Sequence, residues 1–154
     1  SNTDLTLAGA GTGVCSLNGL KLPTSGGTAS TLNYYEELVS VTTTMSGPVA
    51  SESYTYYVTR LGQTVIIHFP SFSKNGNNAL APLQLAAGSL PSRFRPLSQI
   101  SAPFYVSNGG TFEMGKVGIN SDGQIFWTRD YSTSFQSTSA IGIPSCAITY
   151  LLLP

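Results

Sequence analysis

Side chains that could perform acid–base or nucleophilic chemistry are few in this chain and lie apart in sequence. The one histidine, His68, lies between Ile67 and Phe69 in the run TVIIHF. A catalytic histidine needs a nucleophile and an orienting carboxylate within hydrogen-bonding reach. No Gly-x-Ser-x-Gly motif marks such a nucleophile. We therefore expect His68 to be a structural residue, either on the strand face of Ile66 or at a subunit interface.

The carboxylates and cysteines are not arranged for sugar hydrolysis or metal binding. Glycoside hydrolysis needs two facing acids, whereas the adjacent Glu36 and Glu37 point to opposite sides of an extended strand. The stretch 120–123, NSDG, lacks the later acidic ligands of a calcium loop, so it predicts a β-turn. Cys15 and Cys146 lack the spacing of a zinc site and are expected to be free thiols. The sequence predicts no catalytic residue, no metal site, no cofactor and no enzymatic activity.

Aromatic residues are the most informative class for binding. The chain has one Trp, eight Tyr and seven Phe, more than the core of a small domain must hold. Most are expected in the core or between subunits. Tyr and Trp can also offer a flat apolar face with a polar edge to a sugar ring. Trp127, Arg129 and Tyr131 run into the Ser/Thr-rich segment 129–139, and they are the candidate ligand-binding residues.

Composition excludes several classes of partner. Charged residues make up 9% of the chain, and seven basic and seven acidic side chains cancel. Binding to nucleic acid phosphates requires a basic stripe, which is missing, and there is no basic amphipathic segment for a membrane surface. The longest apolar run, Tyr150–Leu153, is too short to span a bilayer. The length of 154 residues suits one domain with a short extension.

The first half of the chain reads as short strands. Residues 38–44 alternate and are β-branched, and residues 54–61 and 64–69 predict a hairpin around Gly62 and Gln63. Residues 80–90 contain Pro and Gly, so they predict coil with an edge strand at most. In residues 90–96, LPSRFRP, Pro91 and Pro96 predict an extended crossing.

The second half continues the pattern without a helix. Residues 101–106 predict a strand in which Pro103 indicates an edge. Residues 112–120 and 124–128 predict a second hairpin, and residues 146–153 predict a buried central strand because the run is continuously apolar. Seven or eight short strands with regularly spaced turns predict an all-β sandwich or jelly roll.

Residues 19–37 mark a change in organisation. The stretch contains Pro23, the pair Gly26 and Gly27, and several Ser and Thr, all of which interrupt regular structure. The short alternating runs before it cannot be stable strands alone. We expect residues 1–31 to be the end of a β-structured stalk with a linker, and residues 32–154 to be a globular head. A disordered leader is the alternative for the first segment.

Three motifs carry a resemblance to a known class of proteins. They are NGLKLPTSGGT at residues 18–28, LPSRFRP at 90–96 and GKVGINSDGQI at 115–125. With the terminal ITYLLLP, the chain resembles the C-terminal fibre or spike proteins of viruses, including tailed phages and large DNA viruses. The resemblance covers most of the chain as a pattern. It implies a shaft segment that runs into a trimeric head like the jelly rolls of tumour necrosis factor and complement C1q.

The resemblance also implies a function. A virion-surface fibre head would form a homotrimer and attach the virion to a receptor on the host cell, with a glycan as the expected receptor class. Neither nucleic acid nor membrane insertion is expected. A structural module that only trimerises and caps a fibre or capsid is the alternative. An enzyme that hydrolyses glycans is the alternative that the residues support least, because no paired acid site is visible.

Overall fold

The chain divides into two compact units between Tyr34 and Tyr35. The structure, a computed structural model, describes residues 20–22, 30–32, 35–129 and 134–152. In the first unit, β1 (Leu20–Leu22) pairs antiparallel with β2 (Ser30–Leu32). The division lies close to the predicted boundary between residues 31 and 32, while the stalk role of the first segment stays a prediction.

Among the described residues of the second unit, ten strands form one antiparallel sheet. The strands are β3 (Tyr35–Ser46), β4 (Glu52–Leu61), β5 (Thr64–Phe69), β6 (Phe72–Asn75), β7 (Leu83–Leu85), β8 (Ile100–Asn108), β9 (Thr111–Ile119), β10 (Ile125–Arg129), β11 (Ala140–Ile143) and β12 (Cys146–Leu151). Their order across the sheet is β12-β5-β4-β3-β7-β10-β9-β8-β11-β6. The predicted all-β class is confirmed. In the part of the chain that the structure describes, no helix is long and apolar enough to cross a membrane.

The two predicted hairpins are present. Strands β4 and β5 pair from Tyr57 opposite His68 to Leu61 opposite Thr64. Gly62 begins the connecting turn with φ +59°, a left-handed conformation that glycine adopts without the usual side-chain penalty. Strands β9 and β10 form the other hairpin, because both runs alternate apolar and small residues around a turn-forming NSDG segment.

The sheet curls so that one face closes around a common core. Phe69 on β5 and Trp127 on β10 are separated in the sheet by β4, β3 and β7, yet their rings meet at 5.2 Å between centroids. Phe104 on β8 packs against both rings. Alternate residues of each strand therefore point into one aromatic-rich core, and the other residues form outward faces on different sides of that core.

Three predicted placements are corrected. Strand β12 is an edge strand, since it pairs only with β5 among the described residues, and most of its side chains are exposed. A continuous apolar run indicates two covered faces, but here it marks a surface that residues 35–129 and 134–152 leave uncovered. Strand β7 lies inside the sheet, between β3 and β10. Residues Ser92–Phe94 form a 3₁₀ turn, because this bend buries Phe94 and leaves Arg93 exposed.

Two short strands are not predicted by the sequence pattern. The polarity of β6 indicates a loop, and β11 is a four-residue segment that contains Gly142. Both are specified by their mutual pairing and by buried Phe72, Ile141 and Ile143 rather than by local alternation. The predicted edge character around Pro103 is confirmed, since β8 pairs with β11 only at Ser107 and Asn108.

Candidate binding surfaces

Trp127, the first candidate ligand-binding residue, is a core residue. Its side chain is fully buried, and its ring packs edge to face against Phe69 and Phe104. The indole Nε1 has no hydrogen-bond partner among the described residues. A buried ring has no face to offer a ligand, so the prediction is wrong for Trp127. Residues of the run QIFWT point alternately to the two faces of β10. The register that buries Ile125 also buries Trp127, whether or not the side chain is aromatic.

Arg129 lies at the end of β10 and forms a two-pronged ion pair with Glu113 of β9. Its Nη2 donates a hydrogen bond to Oε2 at 3.1 Å, and its Nε donates another to Oε1. Both side chains are about three-quarters buried, with 26% of each exposed. Tyr131 lies outside the described residues. A ligand role for Arg129 and Tyr131 stays a prediction, and the structure does not bring Trp127 into such a site.

His68 lies on an outward face of the sheet. It is exposed, and its neighbours in register are Tyr57 on β4 and Ala147 on β12. Its predicted position on the strand face of Ile66 is confirmed by the alternation of β5. Asp122 caps the turn that the sequence predicted, since its Oδ1 accepts a hydrogen bond from the backbone N–H of Gln124 at 2.9 Å. Among the described residues, His, Cys, Asp and Glu form no group able to hold a metal ion.

The outward face of the β8–β9 hairpin carries a patch of exposed apolar side chains, here called the β8–β9 patch. Tyr105 and Met114 are direct cross-strand neighbours, and Phe112 lies two residues before Met114 on the same face of β9. Their exposed fractions are 58%, 46% and 63%. None of the three was among the candidate ligand-binding residues that the sequence predicted. In residues 112–119 both strand faces contain apolar residues, so alternation alone did not identify the outer one.

A second outward face covers strands β3, β4, β5 and β12, and we call it the charge-free face. Its described side chains include no Asp, Glu, Lys or Arg. Its members are Ser40, Thr42, Thr44, Ser53, Thr55, Tyr57, Thr59, Leu61, Thr64, Ile66, His68, Ala147, Thr149 and Leu151. Tyr57, Leu61 and Leu151 are exposed by 39%, 48% and 56%. Apolar side chains of this size on one face indicate a contact surface.

A cavity of about 110 Å³ lies beside β12, between its inward face and strands β8 and β9. Ile100, Ala102, Val117, Ile119, Ile148 and Tyr150 supply most of its apolar lining. The cavity is partly open, and it lies where β8 has no neighbour on its outer side among the described residues. Its chemistry suits an apolar group rather than an ion.

The three buried tyrosines are structural rather than catalytic. Burial raises the pKa values of Tyr54, Tyr56 and Tyr150 well above the ordinary value. The Tyr56 hydroxyl donates a hydrogen bond to the Ser89 carbonyl at 2.9 Å. The Tyr150 hydroxyl donates one to the Phe94 carbonyl. These bonds attach the segment after β7 and the 3₁₀ turn to the core strands, and each hydroxyl keeps its proton.

Comparisons with known proteins add a structural likeness. No family model and no curated protein matches the chain. Among solved structures, a reovirus attachment protein, sigma1, determined in complex with alpha-2,3-sialyllactose, shares 16% sequence identity with a TM-score of 0.44. The match covers 75% of this chain and 67% of that chain. At this level of similarity, the function has to be argued from the residues of the chain itself.

Proposed function

We propose that the chain is the homotrimeric head of a virion fibre or spike, and that it attaches the virion to a glycan receptor on the host-cell surface. The proposal follows from the motif resemblance at residues 18–28, 90–96 and 115–125. It is a binding role without catalysis. It also gives a reason for the exposed apolar side chains on two outward faces, which an isolated domain would have no need to keep.

The β8–β9 patch is the observation on which we base the proposed receptor binding. Tyr105 is more than half exposed and lies directly opposite Met114 on the neighbouring strand, with Phe112 diagonally beside it. A tyrosine ring stacks on apolar sugar faces, while its hydroxyl remains available to sugar hydroxyls.

Three such patches on one head would act together. A single stacked sugar binds weakly, because a small exposed contact gains little beyond its desolvation and ordering costs. Three copies that engage one cell surface would gain avidity without any new contact. The weakness of an isolated patch is therefore compatible with firm attachment of a virion.

A structural module that only trimerises and caps a fibre is the second candidate. The observation that favours it is the exposed apolar edge strand β12, which serves assembly whether or not a receptor binds elsewhere. The two candidates differ in one respect, because only an attachment head needs the β8–β9 patch to remain exposed.

A glycan array separates the two candidates. We expect the full chain to give a reproducible glycan signal, and Tyr105→Ala to weaken it about tenfold, which corresponds to about 1.4 kcal/mol of lost contact. Leu80→Ala is the matched control, because Leu80 is 67% exposed but lies outside the patch. A folded, oligomeric chain that binds no glycan would count against attachment through sugars and in favour of the structural module.

A further inference from the structure

We propose that a second copy of this chain docks on the β12 surface, defined as the outer edge of β12, the cavity beside it and the adjoining charge-free face. The proposal rests on the homotrimer in the proposed function and specifies which part of the head holds the copies together. Three independent features of the described residues meet at β12, and each requires cover that no described residue of the chain supplies.

The first feature is the unprotected edge of β12. Residues 146–151, CAITYL, contain no charge and no proline, and most of their side chains are exposed. Monomeric proteins usually protect such an edge with a charge, a proline or a covering segment. The opposite edge of the sheet follows that rule, since β6 is short and polar and its Lys74 pairs with Glu52 at 2.9 Å. The contrast indicates that β12 is covered by another chain.

The second feature is the cavity. Its volume of about 110 Å³ is large enough for one aliphatic side chain, and dry apolar cavities of about 150 Å³ accept small hydrocarbons. Ile148 of β12 and Ile100 of β8 both line it, and both strands have an unpaired edge there among the described residues. An extended segment could therefore pair with β12 and place an apolar side chain in the cavity.

The third feature is the charge-free face. Four strands about 4.8 Å apart, each with about eight residues at about 3.3 Å, cover about 500 Å² in projection. Each partner of a standard interface contributes about 800 Å², and the area of this face is of the same order. The face shares two features with an interface core, the depletion of charge and an exposed tyrosine, while most of its other members are Ser and Thr. On this face, Tyr57 lies beside His68 with no charged neighbour among the described side chains of the face.

A second copy fits these features better than another partner does. A sugar stacks on an exposed aromatic ring, whereas aliphatic side chains form most of the cavity lining and its one ring, Tyr150, is buried. A charged partner would find no opposite charge among the described side chains of the charge-free face. Closed rotational symmetry covers every copy of an exposed edge at once, because each chain both provides and receives a contact.

The test is the molar mass of the full chain in solution by light scattering. We expect the wild type at about three times the 16.2 kDa of one chain. Thr149→Lys adds a charge to the exposed side of β12 and should reduce the mass to that of one chain, with the far-ultraviolet circular dichroism unchanged. Ala147→Lys is a second variant on the same strand. Ser73→Lys on β6 is the matched control and should keep the wild-type mass.

The outcomes separate this proposal from the proposed function. Oligomers in both β12 variants, or loss of oligomers in Ser73→Lys as well, would overturn the β12 surface as the docking site. A monomeric wild type that still binds glycans would overturn docking and leave attachment standing. If Thr149→Lys abolishes glycan binding while the oligomer persists, β12 is a receptor site and the present inference is wrong.

Discussion

The ring of Phe69 on β5 meets the indole of Trp127 on β10 edge to face, with centroids 5.2 Å apart and planes at 82°. An edge-to-face pair of this kind stabilises a fold by about 0.5–1.5 kcal/mol beyond the contribution from burial of the rings. The contact joins two strands that three others separate within the sheet. It therefore holds the curl that sends the β8–β9 patch and the charge-free face to different sides of the core.

Truncation of Trp127 should destabilise the fold without affecting ligand contacts directly. We expect Trp127→Ala to lower the free energy of unfolding by about 3–5 kcal/mol, because it leaves a cavity at the centre of the core. Trp127→Phe should cost less, since it keeps an aromatic ring in the core and the Nε1 that it removes is unpaired within the described part of the chain. Chemical denaturation measures both, and equal losses in the two variants would contradict this packing.

Gly142 should not tolerate a side chain. A Cβ at this position would run into the carbonyl oxygen of Phe72 on β6, so Gly142→Ala should cost about 1–3 kcal/mol through overpacking. Gly110→Ala is the control, because the space beside it is open and only its φ of +84° disfavours alanine. If denaturant midpoints show Gly142→Ala to be as stable as the wild type, the β6–β11 pairing is not as close as described.

Leu38 should be replaceable with a gain in stability. It has φ +45° at a bulge in β3 and is 59% exposed, so its side chain strains the backbone for little burial. Leu38→Asn should raise the free energy of unfolding by about 0.5–1 kcal/mol, because asparagine adopts left-handed conformations more readily. Leu80→Asn serves as the control at an exposed position without positive φ. If Leu38→Asn instead lowers the free energy of unfolding, the leucine side chain makes contacts that stabilise the fold more than its positive φ destabilises it.

Alkaline pH should unfold the head cooperatively. Burial raises the pKa values of Tyr54, Tyr56 and Tyr150, while the unfolded chain releases these protons near pH 10. Above that pH the folded state binds more protons than the unfolded state, so stability falls by up to about 1.4 kcal/mol per pH unit for each buried tyrosine. Stability is unaffected by these groups below pH 10. Part of the tyrosinate absorbance should therefore rise only together with the loss of circular dichroism, and an absorbance change that is complete before unfolding would contradict the burial of these three residues.

Local alternation predicted the parts of the fold in which one strand face is clearly apolar. Residues 54–61 and 64–69 place Tyr56, Val58 and Ile67 on one side, and the hairpin forms as predicted. The same reasoning was insufficient for β6 and β11, because short polar or glycine-containing segments become strands only through pairing with distant residues. Long-range pairing of this kind leaves no periodic signal in either segment.

An apolar segment shows the same sequence pattern whether its own chain or a partner chain buries it. The apolar run at residues 146–153 predicted a central strand, and β12 is an edge whose outward Thr149 and Leu151 are exposed. Trp127 shows the converse, since its place beside a polar loop indicated the surface although its strand face points into the core. The candidate site was therefore less predictable than the fold, because Tyr105 and Met114 become neighbours only through the register of β8 and β9.

The central claim is that this head attaches to cell-surface glycans. Its most direct test is the binding of the full, fluorescently labelled chain to cells before and after enzymatic removal of their surface glycans, with Tyr105→Ala measured in parallel. The account predicts strong binding that is lost on glycan removal and about tenfold weaker in the variant. Binding that survives glycan removal, or is identical for wild type and Tyr105→Ala, would contradict it.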